Sequence, residues 1–590
     1  MSRSPLCRLA IALLVVAAVP HAQSPALPGT DIRFWATANI TSRLTFAGTW
    51  VPLDTTATII GPFWSAMKLG SDQREGLVLA GWAYNGSFES TLPDVTPTRA
   101  MIFEQQADGT LQDATTRLFG DPTTFGVGDV LVADFNGDGR DDVLLPAHNE
   151  SPFIAKPSVA YVSQGDGLRK LTLPDSVMAH HTSLYTVDGS TRAVARSFGG
   201  SGNNGRGAGY NVVYHWTGSG FSTTNVGDVG GMAVLVGHFT NNSDLWIVAG
   251  DSNSGIGRSY SVTNPGLNWA YKFNNQNPTL PYVALPKPYF NDKPEYASFA
   301  SQWDPYSKTH TPRLLSADLN QDGLLDIIAL ASIWRSGVGF QRGALQLMLN
   351  RGNMLFADDT DSLAPEFSKL SNLDYSAKLI DVDGSGIETL FLASVQVPQV
   401  ADDEAKQGQY ILVNDGTGRL YTAMHDEFRA MRTQIAPFAS ARVPGSSIGP
   451  GFTPQYLPYR TPNGAVNFLA VLRTTIDGKP ARAFVNVPLQ VNLTTDFRRD
   501  LTVATRNNSR RIRTFAGNDT IHRAVTDPDC VIDGGLGSNV AVYPGPQANW
   551  TIGRDGDHAT IRPAQGSGGT DRLIRVQIAR FADGDVNLSQ

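Results

Sequence analysis

Asp134-Phe-Asn136-Gly-Asp138-Gly139-Arg140-Asp-Asp142 lies between the apolar runs Val130-Leu-Val-Ala133 and Val143-Leu-Leu145. Each run has the length and composition of a short buried strand, and the glycines between them permit a sharp reversal. The same layout returns as Asp318-Leu-Asn320-Gln-Asp322-Gly323-Leu324-Leu-Asp326, between Leu314-Leu-Ser-Ala317 and Ile327-Ile-Ala-Leu330. A third copy reads Asp381-Val-Asp383-Gly-Ser385-Gly-Ile387-Glu388-Thr389, between Lys378-Leu-Ile380 and Leu390-Phe-Leu-Ala393. The unit is strand, acidic bend, strand.

Spacing turns the unit into an array. The second and third bends start 63 residues apart and the first and second 184, which leaves room for two worn copies between them. These are placed at Asp188-Gly189 and at His238 to Asp244. Further copies at Lys68 to Asp72 and at Asn463-Gly464 make seven. A second landmark follows each strong bend: Gln164-Gly165, Asn350-Arg-Gly352 and Asn414-Asp-Gly416 lie 30, 32 and 33 residues beyond the first aspartate. Each unit is therefore expected to be a four-stranded antiparallel sheet, with the bend joining two early strands and the later turn closing the last hairpin. A sheet that small cannot cover both its faces, but radial arrangement lets neighbours do so. The expected fold is all-β, a seven-bladed β-propeller over 31–492, with a strand from Asp31–Leu53 closing the ring against the last unit.

These segments resemble FG-GAP or VCBS repeats, the units of integrin α-subunit heads and of many exported bacterial proteins, over roughly Asp31 to Val491. The resemblance implies a propeller with calcium-binding loops and does not imply one activity.

The bends themselves suit Ca2+. Oxygen donors at alternating positions can turn inward to one ion, and calcium takes about 6 to 8 of them. The expected ligands are Asp134, Asn136, Asp138, Asp142 and the Arg140 carbonyl in the first bend, and Asp318, Asn320, Asp322, Asp326 and the Leu324 carbonyl in the second. The third offers Asp381, Asp383, Ser385, Thr389 and the Ile387 carbonyl, with fewer carboxylates. Three carboxylates at such spacing repel one another without a cation. An EF-hand is disfavoured, since its twelfth position requires Glu and these bends have Leu145, Ala329 and Leu392 there.

At the N-terminus, Arg3 and Arg8 border an apolar run from Leu9 to Val19, the layout of a secretory signal over residues 1–24. Its two arginines taken from 47 basic residues leave 45 against 54 acidic ones, a balance that disfavours nucleic acid and favours cation uptake. No later run is long enough for a transmembrane segment. Cys7 leaves with the signal, so Cys530 has no partner for an internal disulfide.

Beyond the array, residues 493–513 read as a polar linker marked by Arg498, Arg499, Arg506, Arg510, Arg511 and Arg513. The segment 514–590 resembles the glycine-rich β-domain of RTX-type exported proteins through Gly517-Asn518-Asp519 and Asp533-Gly534-Gly535-Leu-Gly537-Ser-Asn539. Thr514 and Phe515 stand where paired glycines belong and Asn539 where an aspartate does, so an ion site there is incomplete.

His-Glu-x-x-His zinc and Gly-x-x-x-x-Gly-Lys phosphate-loop motifs are absent from the sequence. The leading expectation is a secreted or cell-surface binding and adhesion scaffold for a protein or glycan ligand, with tryptophans such as Trp64, Trp82, Trp216, Trp246, Trp303 and Trp334 serving either the blade cores or sugar stacking. The alternative is a secreted polysaccharide lyase or hydrolase that uses Asp251, Asp292, Asp304 or Glu427.

Overall fold

Apolar strands such as Asp142–Leu145 and Ala233–Gly237 are buried at every position instead of alternating, as expected of sheets covered on both faces. The computed structural model describes most of residues 41–589. The longer stretches outside it are 1–40, 85–95, 198–209, 251–268, 287–307, 368–375, 394–408 and 446–453. The expected signal peptide, Asp383, Asn463, Arg498, Arg506 and Trp303 therefore fall outside the described residues.

Among the described residues seven four-stranded antiparallel sheets form the blades of a propeller. Blade 1 comprises Thr58–Leu69, Arg74–Tyr84, Met101–Gln105 and Leu111–Asp113, and blade 2 comprises Leu131–Ala133, Asp142–Leu145, Val159–Gln164 and Gly167–Thr172. Blades 3 to 6 begin with Ala179–Val187, Ala233–Gly237, Lys308–Ala317 and Ser376–Ile380. Blade 7 is assembled from both ends of the array: Gln455–Arg460, Val466–Ile476 and Lys479–Val491 are completed by Thr45–Trp50. Thr45 pairs with Asn486 and Trp50 with Arg482, so the expected closing strand is in place. Each expected acidic or worn bend joins the first and second strands of its blade.

The first strands of successive blades lie against one another and converge on the axis. Trp64 and Trp82 are buried between blades, and Trp216 is half-buried edge-on against Phe221. These tryptophans serve packing.

Short helices at Thr115–Phe119 and Thr360–Leu363 and one longer helix interrupt the all-β pattern among the described residues. The helix Asp426–Ser440 fits between blades 6 and 7, burying Phe428, Met431, Ile435 and Phe438. Their spacing of three and four places them on one helical face.

The stretch expected as a linker carries two strands, Thr502–Ala504 and Arg511–Arg513. Each begins one sheet of a parallel coil whose strands alternate between the two sheets. Thr502–Ala504, Thr520–His522, Val540–Val542 and Ile578–Phe581 run parallel in one; Arg511–Arg513, Cys530–Asp533 and Asp571–Ile574 run parallel in the other. The arginine run masked an alternation in which Leu501, Val503 and Ile512 point inward. Adjacent coils stack so closely at Gly535, whose φ is +68°, that an added Cβ would lie 1.3 Å from the Phe515 carbonyl oxygen.

Side chains that looked like defects in the ion pattern are what join the coils. Asn539 Nδ2 donates to the carbonyls of Gly534 (2.6 Å) and Arg575 (3.0 Å), which an aspartate in its place could not do. Its Oδ1 accepts from the Asp519 N–H at 3.0 Å, and Asp519 accepts from Leu501 N–H at 2.7 Å. Burial, with Asp500 adding a like charge, pushes the Asp519 carboxyl up to about 6. The native state therefore holds a proton that the unfolded chain releases between about pH 4 and 6, so this group's contribution falls as pH rises through that window. Asp519→Asn is expected to stabilise the protein by on the order of 2 kcal/mol at pH 8 and by little at pH 4. Thermal melts of both proteins at the two pH values check this.

A buried ion pair completes this domain. Arg523 grips Asp571 through two bonds of 2.9 and 2.6 Å, and Tyr543 donates to the same carboxylate at 2.9 Å. Beside it burial pushes the Cys530 thiol up to about 12, which leaves it unreactive at neutral pH.

Candidate functional site

The first two acidic bends repeat one hydrogen-bond pattern, and the third keeps its frame. In the first, Asp134 accepts from the N–H groups of Asp138 (3.1 Å) and Gly139 (2.8 Å); in the second, Asp318 accepts from Asp322 (2.9 Å) and Gly323 (2.8 Å). In the third, Asp381 accepts from Ser385 (3.1 Å) and Gly386 (2.9 Å). The fifth position of each bend then accepts from the seventh N–H: Asp138 from Arg140 at 2.9 Å, Asp322 from Leu324 at 2.9 Å, and Ser385 Oγ from Ile387 at 3.2 Å. The ninth residue enters the next strand, pairing Asp142 with Ala133, Asp326 with Ala317 and Thr389 with Ile380.

The ninth aspartates also tie the bend to the third strand. Asp142 accepts from Ser163 N–H at 2.7 Å and from Phe135 N–H at 3.0 Å, while Asp326 accepts from Asn350 N–H and Leu319 N–H, both at 2.8 Å. Burial raises both carboxyls, and Asp326, with Asp322 and Asp318 adding like charge, reaches about 8. Burial likewise raises Asp318, with Asp322 contributing. Asp138 behaves oppositely: burial opposes its ionisation, but hydrogen bonds from Ser163, at 2.6 Å, and Arg140 hold it below the usual carboxylate range.

Among the described residues no three His, Cys, Asp or Glu side chains stand close enough together to hold a metal. The donor sets of the first two bends nonetheless include Asn oxygens and backbone carbonyls, and each bend adds one buried carboxylate, Asp142 or Asp326, to two more exposed ones, a negative charge that a divalent cation would offset.

Expected turn residues have a second use. Asn350 Nδ2 donates to the carbonyl of Phe239 at 2.7 Å, and Asn414 Nδ2 to that of Leu319 at 2.8 Å. Each reaches the second residue of the preceding blade's bend, so neighbouring bends are stapled together.

A buried charge cluster, absent from the sequence reading, fills the axis. Asp129, which precedes blade 2, accepts from Arg313 Nη1 in blade 5 at 2.7 Å and from Thr182 Oγ1 in blade 3 at 2.8 Å. Lys378 Nζ of blade 6 lies 3.6 Å from its other oxygen. Burial would raise the Asp129 carboxyl, but Arg313 first and then Lys378 hold it well below its ordinary range. Burial pushes the adjacent His181 down to about 3, and its Nδ1 lies 2.9 Å from the Val234 carbonyl. Asp129 and Arg313 are buried, Lys378 keeps 24% of its side chain exposed, and burial lowers the Lys378 ammonium from its ordinary range. The signal in the sequence was a charge directly before the apolar pair of a first strand, at Arg313 before Leu314-Leu315 and at Lys378 before Leu379-Ile380.

A family model described as an FG-GAP-like repeat matches residues 83–145, which span the end of blade 1 and the whole first acidic bend. The chain carries an FG-GAP-like repeat. No curated protein matches it. Solved structures similar to this chain include a rhamnogalacturonan lyase of Bacillus licheniformis, at 12% identity over 76% of this chain and 78% of that one, with a TM-score of 0.31. Others are the exotype rhamnogalacturonan lyase YesX (11% identity, 76% and 78%, TM-score 0.33) and the polysaccharide lyase Uly1 (9%, 75% and 100%, TM-score 0.34). Among the carboxylates considered for such chemistry, Asp251, Asp292 and Asp304 lie outside the described residues, and Glu427 belongs to the helix Asp426–Ser440. No helix among the described residues is long and apolar enough to cross a membrane.

Proposed function

We propose that this chain is an exported propeller whose first two acidic bends hold Ca2+, and that it works as a binding or adhesion scaffold for a glycan or protein ligand. The observation that supports this is the repetition, in bends 184 residues apart, of one hydrogen-bonded frame carrying three carboxylates. Asp134, Asn136, Asp138, Asp142 and the Arg140 carbonyl would hold one ion; Asp318, Asn320, Asp322, Asp326 and the Leu324 carbonyl would hold the other. Each ion would supply charge neutralisation and rigidity, while the backbone N–H groups already keep Asp134 and Asp318 aimed. Asn350 and Asn414, stapled to neighbouring bends, would spread that rigidity around one end of the propeller.

The test is a screen of the calcium-loaded chain against glycan and envelope-protein arrays, beside assays for cleavage of acidic and neutral polysaccharides. Saturable binding without turnover is expected. Turnover of a polysaccharide with no retained ligand would replace the scaffold by the lyase or hydrolase alternative.

A further inference from the structure

The third bend has lost the carboxylates of its fifth and ninth positions to Ser385 and Thr389, and a guanidinium stands among the groups that remain. Arg513, from the C-terminal coil, is buried against blade 6 with only 4% of its surface exposed. Its Nη1 donates to Ser385 Oγ at 3.0 Å, and its Nη2 approaches the Ile387 carbonyl at 3.3 Å and Thr389 Oγ1 at 3.5 Å. Those are the fifth, seventh and ninth positions, the same three that the first two bends fill with Asp138, the Arg140 carbonyl and Asp142, and with Asp322, the Leu324 carbonyl and Asp326. The remaining donor, Nε, bonds the Asn414 carbonyl at 2.9 Å, and the Arg513 N–H bonds the Asp415 carbonyl at 2.9 Å.

We infer that the third bend is a guanidinium site: Arg513 takes the place of the metal ion and thereby seats the C-terminal coil on the propeller. Chemistry favours this exchange. An arginine presents several N–H donors in a planar fork and suits neutral hydroxyl and carbonyl acceptors, whereas a divalent cation needs the negative charge that Ser385 and Thr389 no longer supply. Negative charge also remains nearby, since Glu388 interacts with both Arg513 and Arg460, and Arg460 bonds the Asp381 carbonyl. In the worn bend of blade 4, Lys272 Nζ sits 2.8 Å from Asp244.

The neighbouring residues hold the segment in register. The Arg510 N–H bonds the Gln321 carbonyl of the second bend at 2.9 Å. Gly416, in the turn beside the third bend, leaves no room for a side chain: an added Cβ would fall 2.2 Å from the Arg511 carbonyl oxygen.

The inference uses the calcium reading only for the other two bends, and its test separates the two claims. Bound calcium is counted by atomic emission after equilibrium dialysis of the full chain, its Asp134→Asn variant and its Asp381→Asn variant. Asp134→Asn should lose one ion per chain and Asp381→Asn none. In parallel, Arg513→Ala should melt at least about 4 °C lower than the unaltered chain, and millimolar guanidinium should restore much of that loss where added calcium does not. An ion lost with Asp381→Asn, or an Arg513→Ala protein restored by calcium alone, would overturn the guanidinium site. A chain that binds no calcium in any form would overturn the calcium reading, leaving the guanidinium rescue to decide the third bend.

Discussion

Replacing Asp129 by alanine should cost the propeller about 3–5 kcal/mol, because Arg313 and Lys378 would then face each other in the buried axis without their shared counter-ion. The penalty comes from two like charges losing their shared counter-ion, so it depends on what is removed with the aspartate. Asp129→Ala combined with Arg313→Met and Lys378→Met should recover most of the loss, since replacing every member of a buried ion cluster by apolar groups is close to neutral. Urea denaturation of the single and triple variants measures both. Equal destabilisation of the two proteins would show that the charges are not coupled across the axis.

If the first two bends hold calcium as proposed, its removal is the second large effect expected. An ion that binds only the folded chain contributes about 2.7 kcal/mol when present at a hundred times its dissociation constant, and two such sites roughly double that. Chelation is therefore expected to lower the melting temperature by roughly 5 °C or more. Asp318→Ala should remove about half of the calcium-dependent shift and leave the other half to the Asp134 bend. Magnesium should substitute poorly, because it demands a tight octahedral shell that a bend of this kind does not offer. Differential scanning fluorimetry across calcium, magnesium and chelator reads all three expectations.

Much of the propeller was legible because its signals are local and repeated. The bends at Asp134, Asp318 and Asp381, each between two apolar runs, locate the first hairpin of three blades, and the later Asn-Gly or Gln-Gly turns locate the last. Worn bends such as Asp188-Gly189 became readable only through their spacing. The closing strand Thr45–Trp50 was placed from the need to cover an edge, a physical requirement with no motif of its own.

What stayed hidden depends on contacts between distant parts of the chain. Asp129 meets Arg313 across 184 residues, and only ring closure brings them together. Arg513 sits in a run of arginines that reads as solvated polypeptide, and nothing near it announces that its side chain enters a bend 124 to 128 residues earlier. The helix Asp426–Ser440 did leave a signal, since Phe428, Met431, Ile435 and Phe438 repeat at helical spacing, but the dominant strand pattern around it obscured that period. Asn539 read as damage to an ion site because its amide donors are useful only to carbonyls of adjacent coils.

The central claim, that the Asp134 and Asp318 bends gather divalent cations, is tested most directly by titrating calcium into the metal-stripped chain in a calorimeter. Two ions per chain are expected, with one site abolished in Asp134→Ala and the other in Asp318→Ala. Absence of any binding heat or bound metal at millimolar calcium would contradict the account.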